Sequence, residues 1–205
     1  WVVGPSSKYP NCANAPPLGE SYRQHLTMIK FHIDTYTFLV HVGEKPENFK
    51  RWIERSGYSD LKGLDNPGIP IYIGIEEANK WEMAIVGFRT EPVDETFFHP
   101  ELFYISETKT LFIGAGRKAL TYSLGDKVKL TDRSLAMGFW HWSKHDRHII
   151  LVEELELAVY DYTGSFIWAT RTEPPWSYGI AGNILKLDVM DNITKFDLNT
   201  GTPIE

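Results

Sequence analysis

The chain has 205 residues, a formal net charge of −6 and a single cysteine. A chain of this length can bury a hydrophobic core without help from disulfides or metal ions. One cysteine excludes an internal disulfide framework and the usual zinc-ribbon spacings. The acidic residues are scattered and no basic patch stands out, which argues against nucleic acid as a partner. No apolar run approaches the roughly 18 residues that cross a bilayer. We therefore expect a soluble, cytoplasmic protein that binds neither nucleic acid nor membrane.

Aromatic residues are frequent, since seven Trp, ten Tyr and eleven Phe make up 14% of the chain. One explanation is a β-rich core, because strands favour aromatic and branched side chains. The other is an aromatic recognition surface for a protein or a sugar. The composition by itself leaves both explanations open.

The N-terminal half divides into an arm and an α+β segment. Residues 1–27 are rich in Pro, Gly, Asn and Ser without periodicity, which predicts an extended arm or leader. Residues 28–99 predict an α+β segment that packs on the rest of the chain. Its first part, MIKFHIDTYTFLVHV, alternates as strands do, with a break near Asp34–Thr35. The stretch IYIGIEEANKWEMAIVGF predicts two more strands around a turn at residues 77–79.

The segment KPENFKRWIERSG predicts the clearest helix, over residues 46–56. Three apolar residues form an i, i+3, i+4 stripe that would pack onto a sheet: Phe49, Trp52 and Ile53. Gly57 follows and would end the helix in the left-handed conformation. Helical character is confined to this half of the chain.

Residues 100–205 repeat a pattern of apolar and aromatic positions. The repeat is anchored, at spacings of 38 and 36 residues, by Leu111, Ile149 and Leu185. Eleven residues after the anchors stand Tyr122, Tyr160 and Phe196. Seven residues before the anchors stand Tyr104, Trp142 and Tyr178. Each unit predicts a three-stranded antiparallel meander, with hairpins near 104–113, 142–151 and 178–187.

The ends of two units, YDYTGSFIW and FDLNTGTPI, resemble the last strand and turn of β-propeller blades of the quinoprotein-like and WD-like kinds. The resemblance covers roughly residues 100–205, without the Trp–Asp or Gly–His signature of WD blades. Three units cannot close an ordinary ring of about four to eight blades. The resemblance thus implies an open, propeller-like array capped by the N-terminal half, or blade-like hairpins in a two-layer α+β fold. We predict a mainly β protein with minor α in one domain overall, with repeated three-stranded antiparallel meanders in the C-terminal half and an α+β N-terminal half that contains one helix.

The stretch LFIGAGRKAL offers a competing interpretation, because an apolar strand runs into a G-x-G-x-x-A turn. In a dinucleotide site Gly114 would form the tight turn, Gly116 would admit the pyrophosphate, and Asp132 would bind the ribose. That site requires a helix within residues 116–124, where KALTYSL alternates like a strand. We prefer the hairpin and expect no cofactor. A nucleotide-cofactor-dependent oxidoreductase stays open as an alternative.

Other chemical motifs are incomplete. A zinc site on a helix could use the spacing of His141, His145 and His148. On the predicted hairpin these side chains scatter over a strand and a turn, so we expect no metal site. Neighbouring carboxylates such as Glu153–Glu154 point to opposite faces of a strand, which argues against a catalytic dyad. We assign no residue a catalytic role. Because no catalytic motif is complete, we favour a protein that is not an enzyme.

The aromatic residues of the repeat are the candidate binding residues. They are Trp176, Trp140, Trp142, Tyr104 and Tyr178. Strand residues two apart share a face, so this set predicts a stripe across adjacent sheets, either in the core or as a contact surface. Trp176 follows the stiff loop TEPP and is expected at the surface edge.

The function that this pattern favours is a non-enzymatic protein-interaction module. One form of it is an acidic inhibitor or immunity-type protein that covers a basic partner. The second candidate is a carbohydrate-binding module. A protein partner is therefore preferred to a small molecule, and a glycan remains open.

Overall fold

The computed structural model describes residues 27–78, 80, 83–90 and 100–204. The predicted arm, residues 1–27, lies outside the described residues with the exception of Thr27. In the described part the protein is mainly β with one short helix, which confirms the predicted fold class. The strands form one five-stranded sheet and three four-stranded sheets.

Five strands of the N-terminal half form one mixed sheet, called the N-terminal sheet below. They are β1 (Thr27–Ile33), β2 (Tyr36–Val42), β3 (Ser56–Gly63), β4 (Ile69–Glu77) and β5 (Met83–Thr90). Their order is β1-β2-β4-β5-β3, and β3 is parallel to β5 while the other pairs are antiparallel. The predicted break near Asp34–Thr35 is the turn between β1 and β2. The two strands predicted around residues 77–79 are β4 and β5.

Each repeat unit forms one antiparallel four-stranded sheet, here called a blade. The first blade contains β6 (Glu101–Ile105), β7 (Thr110–Ala115), β8 (Lys118–Ser123) and β9 (Val128–Ser134). The second contains β10 (Phe139–His145), β11 (His148–Glu153), β12 (Glu156–Asp161) and β13 (Phe166–Arg171). The third contains β14 (Trp176–Ala181), β15 (Ile184–Val189), β16 (Asn192–Asp197) and β17 (Pro203–Ile204). The three predicted strands of each unit are present, and the turn that ends each unit leads into a fourth.

The repeated anchors explain how the sheets stack. Each anchor pairs across its hairpin with the aromatic residue eleven positions later, giving Leu111–Tyr122, Ile149–Tyr160 and Leu185–Phe196. All of these side chains are buried. They face, respectively, the N-terminal sheet, the first blade and the second blade.

The opposite face of a blade meets the next sheet, because successive strand residues point to opposite sides. Phe112 in β7 packs against the second blade, and Ile150 in β11 packs against the third. The result is an open stack of four sheets with an apolar layer at each of three junctions. Two-sided burial also explains why β7, β11 and β12 read as nearly continuous apolar runs.

Backbone pairing corrects one alignment made from the sequence. Ile105 pairs with Thr110, which leaves a four-residue turn, whereas β10–β11 and β14–β15 have two-residue turns. Trp142 and Tyr178 therefore occupy equivalent positions, but in the first blade that position belongs to Leu102. Tyr104 is displaced by two residues because of the longer turn.

The turns that follow β12 and β16 each lock onto the preceding blade. The Thr121 hydroxyl donates to the carbonyl oxygen of Gly164 at 2.8 Å, and the Trp168 indole N–H donates to that of Leu198 at 2.8 Å. Gly164 and Gly201 both have positive φ angles. A Cβ atom on Gly164 would lie 2.7 Å from the Leu130 side chain. A Cβ atom on Gly201 would lie 2.6 Å from the Trp168 ring. The turn glycines therefore permit both the turn and the close contact between blades.

The helix α1 spans only Phe49–Glu54, so the predicted range 46–56 is too long. Gly57 lies in β3 and does not end the helix as predicted. Phe49 and Trp52 are buried on the outer face of the N-terminal sheet, whereas Ile53 is 42% exposed. The helix makes fewer than two turns, and Ile53 lies on the side of Phe49 away from Trp52, at the edge of the buried stripe. In the part of the chain that the structure describes, no helix has the length and apolarity to span a bilayer.

Replacing Trp52 by Ala should lower the free energy of unfolding by about 3–5 kcal/mol, because its ring fills the space between α1 and the N-terminal sheet. Its ring lies against the backbone of Gly74 and beside His41. Chemical denaturation monitored by circular dichroism measures this loss. Ile53→Ala is the matched control on the same helix and should cost less than about 1 kcal/mol. Similar losses for the two variants would contradict this packing.

Candidate functional site

The glycine-rich stretch forms a β-hairpin in this structure. Lys118–Ser123 is strand β8, where the dinucleotide interpretation requires a helix. Gly116 has a φ of +50° in the tight turn between β7 and β8. Gly114 lies in β7, where a Cβ would collide with the ring of Phe139 in the second blade. Asp132 forms ion pairs with Lys118 and Lys129. These glycines therefore serve the turn and the packing of two blades.

The three histidines do not converge. His141 is half-buried in β10, and this burial lowers its pKa. The Nε2–H of His145 donates to the carbonyl oxygen of Gly182 at 3.0 Å, while His148 begins β11. Among the described residues, no group of three His, Cys, Asp or Glu side chains is placed to hold a metal ion.

The five candidate aromatic residues fall into two groups. Tyr104 packs edge-on against Tyr36 at 5.5 Å in the layer beneath the first blade. Trp142 is 5% exposed and contacts Phe112 and Tyr160 between the first and second blades. These two rings belong to the core. The predicted stripe of aromatic residues across neighbouring sheets is therefore interrupted.

The other three aromatic residues lie together where the second and third blades meet. The rings of Trp140 and Trp176 stack with centroids 6.1 Å apart and planes 5° from parallel. Tyr178 lies 6.3 Å from Trp176. Trp140 is 44% exposed, whereas Trp176 and Tyr178 are half-buried. This stacked arrangement is called the Trp140–Trp176 pair below.

A β-bulge in β10 explains why Trp140 is exposed. Phe139 pairs with Glu153, but the next pair is His141 with Val152, so Trp140 is the extra residue. An inserted residue reverses the alternation of side chains beyond it. Phe139 and Trp142 consequently both enter the core, and Trp140 points away from it. The expectation that Trp140 and Trp142 share a face is wrong for this reason.

The half-buried members of the cluster are held by hydrogen bonds. The Trp176 indole N–H donates to the carbonyl oxygen of Glu154 at 2.8 Å, and the Thr172 hydroxyl donates to the same oxygen at 3.2 Å. The backbone N–H of Met190 donates to the carbonyl oxygen of Pro175 at 3.2 Å. The loop before Trp176 is thereby tied to the ends of β11 and β15.

A buried carboxyl group lies beside this cluster. Glu153 is 1% exposed, and its Oε2 atom has no hydrogen-bond partner. Burial, with a smaller contribution from Glu156, raises its pKa to about 7, although the backbone N–H of Met137, Arg133 and the N–H of Ala136 oppose the rise. Glu153 thus holds the loop that precedes Trp140. In the sequence its signal is the first of two adjacent glutamates, Glu153 and Glu154, that follow the apolar run IILV.

A second polar cluster lines a cleft of about 240 Å³ between the N-terminal sheet and the first blade. The Tyr122 hydroxyl donates to Asp60 at 2.8 Å, and Lys129 pairs with Asp60 and Asp132 at 2.9 Å. Lys118 also pairs with Asp132 at 2.9 Å. Burial opposes ionisation of Asp132, but hydrogen bonds from the two lysines lower its pKa overall. These groups satisfy one another, so the cluster fastens two sheets together.

No protein-family model and no curated protein sequence matches this chain. Among solved structures, BamB from Moraxella catarrhalis is similar at 12% identity and a TM-score of 0.38, over 74% of this chain and 63% of that chain. The present chain thus spans less than two thirds of the BamB chain. A chain of the mitotic checkpoint complex is similar at 10% identity and a TM-score of 0.31, over 98% of this chain and 74% of that chain.

The buried carboxyl group should make stability depend on pH. The pKa of Glu153 is raised from 4.5 to about 7, so the folded protein holds this proton more tightly than the unfolded chain does. The contribution of Glu153 therefore lowers stability as pH rises from about 4.5 to about 7. Glu153→Gln removes the buried charge and should raise the free energy of unfolding above about pH 7.5 by up to about 3 kcal/mol.

Denaturant titrations at several pH values test this expectation. Below about pH 4.5 the Gln variant and the parent protein should differ little, because Glu153 is then protonated in both states. Glu154→Gln at the neighbouring, half-buried position is the control for the loss of one carboxylate and should retain the fall in stability that Glu153 causes. A Glu153→Gln variant with the parent's pH profile would show that this carboxyl group is not the source.

Proposed function

We propose that this chain is a protein-interaction module whose contact surface is centred on the Trp140–Trp176 pair. The observation that carries the proposal is the large exposed ring of Trp140, stacked on a second tryptophan at the junction of two blades. Aromatic anchors of this kind contribute a large share of the binding energy at protein interfaces. The bulge turns the ring of Trp140 out of the core and leaves it 44% exposed, which supports a role outside the core.

The pair is ordered before any partner arrives. Trp176 is fixed by its hydrogen bond to Glu154, and the ring of Trp140 lies parallel to it. Restricting side chains in advance lowers the entropy lost on binding. The pair therefore supports a contact surface of fixed geometry.

The surroundings of the pair favour a basic protein partner. The exposed residues Met137 and Met190 lie in the loops beside Trp140 and Trp176, and methionine adapts to uneven apolar surfaces. Glu154 and Glu173 lie in the neighbouring loops, and the whole chain has a net charge of −6. Acidic groups around apolar anchors attract and orient a basic surface. An acidic inhibitor or immunity-type protein is the specific form of this proposal.

The alternative functions have less support from the geometry. A sugar ring needs a free aromatic face, and one face of Trp140 is already covered by Trp176. A nucleotide-dependent oxidoreductase needs a helix N-terminus at the phosphate turn, and β8 stands in that place. The carbohydrate interpretation therefore becomes an outcome of the test below.

Trp140→Ala should abolish or strongly weaken capture of the partner. Immobilised parent protein, Trp140→Ala and Phe166→Ala would be incubated with a lysate of the source organism, and bound proteins quantified by mass spectrometry. Phe166 is a matched control, since it is 43% exposed but lies on the outer strand β13. The partner should bind the parent protein and the Phe166→Ala variant equally well. Its affinity for Trp140→Ala should be at least about tenfold lower, which corresponds to a loss of about 1.4 kcal/mol of binding free energy.

Folding and sugar binding are checked in parallel. Trp140→Ala should leave the melting temperature nearly unchanged, whereas Trp176→Ala should lower both affinity and stability because its ring is half-buried and hydrogen-bonded. Equal retention of every protein by parent and Trp140→Ala would contradict the proposal. Saturable quenching of tryptophan fluorescence by oligosaccharides, lost in Trp140→Ala, would favour the carbohydrate-binding module.

A further inference from the structure

Both tryptophans of the Trp140–Trp176 pair are supported by the same end of strand β11. Glu153 pairs with Phe139 at the bulge of β10, and Trp140 is the inserted residue beside that pair. The next residue, Glu154, accepts the Trp176 indole hydrogen bond at 2.8 Å through its carbonyl oxygen. A change at the end of β11 therefore reaches both rings at once.

The side chain of Glu153 also holds the segment that leads from the first blade to Trp140. This segment, residues 135–138, is called the linker below. The backbone N–H groups of Ala136 and Met137 donate to the Glu153 carboxyl group. From the other side, Arg117 donates to the carbonyl oxygens of Leu135 and Ala136, at 3.2 Å and 2.6 Å. Ala136 and Met137 are exposed, so the middle of the linker lies at the surface with water on its outer side.

The cation nearest in effect to Glu153 is already paired with another carboxylate. Arg133 of β9 pairs with Glu156 of β12 at 2.6 Å, and its guanidinium carbon lies 4.6 Å from the centroid of the Phe166 ring. Glu153 is 1% exposed, and its Oε2 atom has no hydrogen-bond partner among the described residues. A buried carboxylate oxygen without a partner is costly, whereas the neutral acid costs much less. The geometry therefore favours the neutral form of Glu153 while the linker is in place.

The other titratable and charged groups on the surrounding elements leave few candidates for a change of charge near neutral pH. They are Tyr160 in β12, Arg171 in β13 opposite Glu156, Arg117 before β8 and His141 in β10. The arginines keep their charge, and burial raises the pKa of Tyr160, so that its hydroxyl stays neutral. Burial lowers the pKa of His141. Within this set, Glu153 and His141 are the groups that a titration must separate.

Raising the pH favours a form of the protein in which water reaches Glu153. Burial raises the pKa of this carboxyl group from 4.5 to about 7 while the linker covers it, and contact with water returns the pKa towards 4.5. The covered form therefore holds the proton more tightly, and a rise in pH shifts the population towards the open form. The difference between the two pKa values allows a shift of up to about 300-fold.

We propose that Glu153 is a pH-dependent latch for the Trp140–Trp176 pair. As a neutral acid it keeps the linker in place and the two rings stacked. As a carboxylate it is hydrated, the linker moves away, and Trp140 separates from Trp176. The bulge makes this coupling direct, because Trp140 has no pairing partner of its own in β11. The consequence for binding rests on the function proposed above: the ordered contact surface is present at low pH and is lost as the pH rises.

Fluorine NMR of the isolated protein, labelled with 5-fluorotryptophan, tests the latch. Trp140→Phe and Trp176→Phe assign the two resonances of the pair. The Trp140 resonance should leave its stacked position as the pH rises, in one transition with a midpoint between 4.5 and about 7. The protection factors of the Ala136 and Met137 amides against hydrogen exchange should fall over the same range, because the linker opens.

Variants at three positions assign the transition to its source. Glu153→Gln is neutral at every pH and still accepts the linker hydrogen bonds, so the Trp140 resonance should keep its low-pH position throughout. Glu153→Ala cannot hold the linker and should show the high-pH position at every pH. Glu154→Gln and His141→Gln are controls, and both should retain the transition of the parent protein. If Glu153→Ala does not fold, the contrast between Glu153→Gln and the two controls decides the question.

Three results would overturn the latch. They are a Trp140 resonance that does not respond to pH in the parent protein, an unchanged transition in Glu153→Gln, and loss of the transition in His141→Gln. Capture from the source lysate, below and above the transition, separates this proposal from the preceding one. A transition without a partner that depends on Trp140 refutes the contact surface and leaves the latch. Capture that depends on Trp140, without a transition, refutes the latch and leaves the contact surface.

Discussion

The requirement that each inner sheet bury both faces governs the rest of the structure. A blade such as the second one carries Ile149 and Leu151 on one side and Ile150 and Val152 on the other. Such a sheet cannot be stable in water by itself, because one face would always expose an apolar surface. The sheets therefore stack, and turns at Gly164 and Gly201 dock on the preceding blade at the two junctions between blades.

The two outer sheets of the described stack differ in what lies on their outer faces. On the N-terminal sheet, Phe49 and Trp52 of α1 cover the outer face. On the third blade, the positions that are apolar in the second blade carry Lys186, Asp188 and Lys195. Apolar packing therefore covers one outer face, and charged residues lie on the other.

The Trp140–Trp176 pair arises from a local break in the same regularity. Perfect alternation along β10 would have placed Trp140 and Trp142 on one side of the sheet. The bulge separates them, so that Trp142 joins the core and Trp140 meets Trp176 at the rim. Bulges commonly redirect a side chain in this way at functional positions. The proposed contact surface is therefore a product of backbone geometry more than of residue composition.

The sequence by itself determined β1, β2, β4 and β5, the three-unit repeat and the first three strands of each blade, because these depend on local alternation and on fixed spacings such as Leu111 to Tyr122. It did not indicate β3 or the fourth strand of each blade. It also favoured a hairpin at LFIGAGRKAL over a dinucleotide site, because KALTYSL alternates like a strand. It could not determine the length of α1, the exposure of Ile53 or the separation of Trp140 from Trp142. It showed an acidic residue at the end of β11 but not that Glu153 would be buried with its Oε2 atom lacking a hydrogen-bond partner among the described residues. Those features depend on which sheet lies against which face and on one inserted residue in β10, and only the tertiary structure decides such contacts.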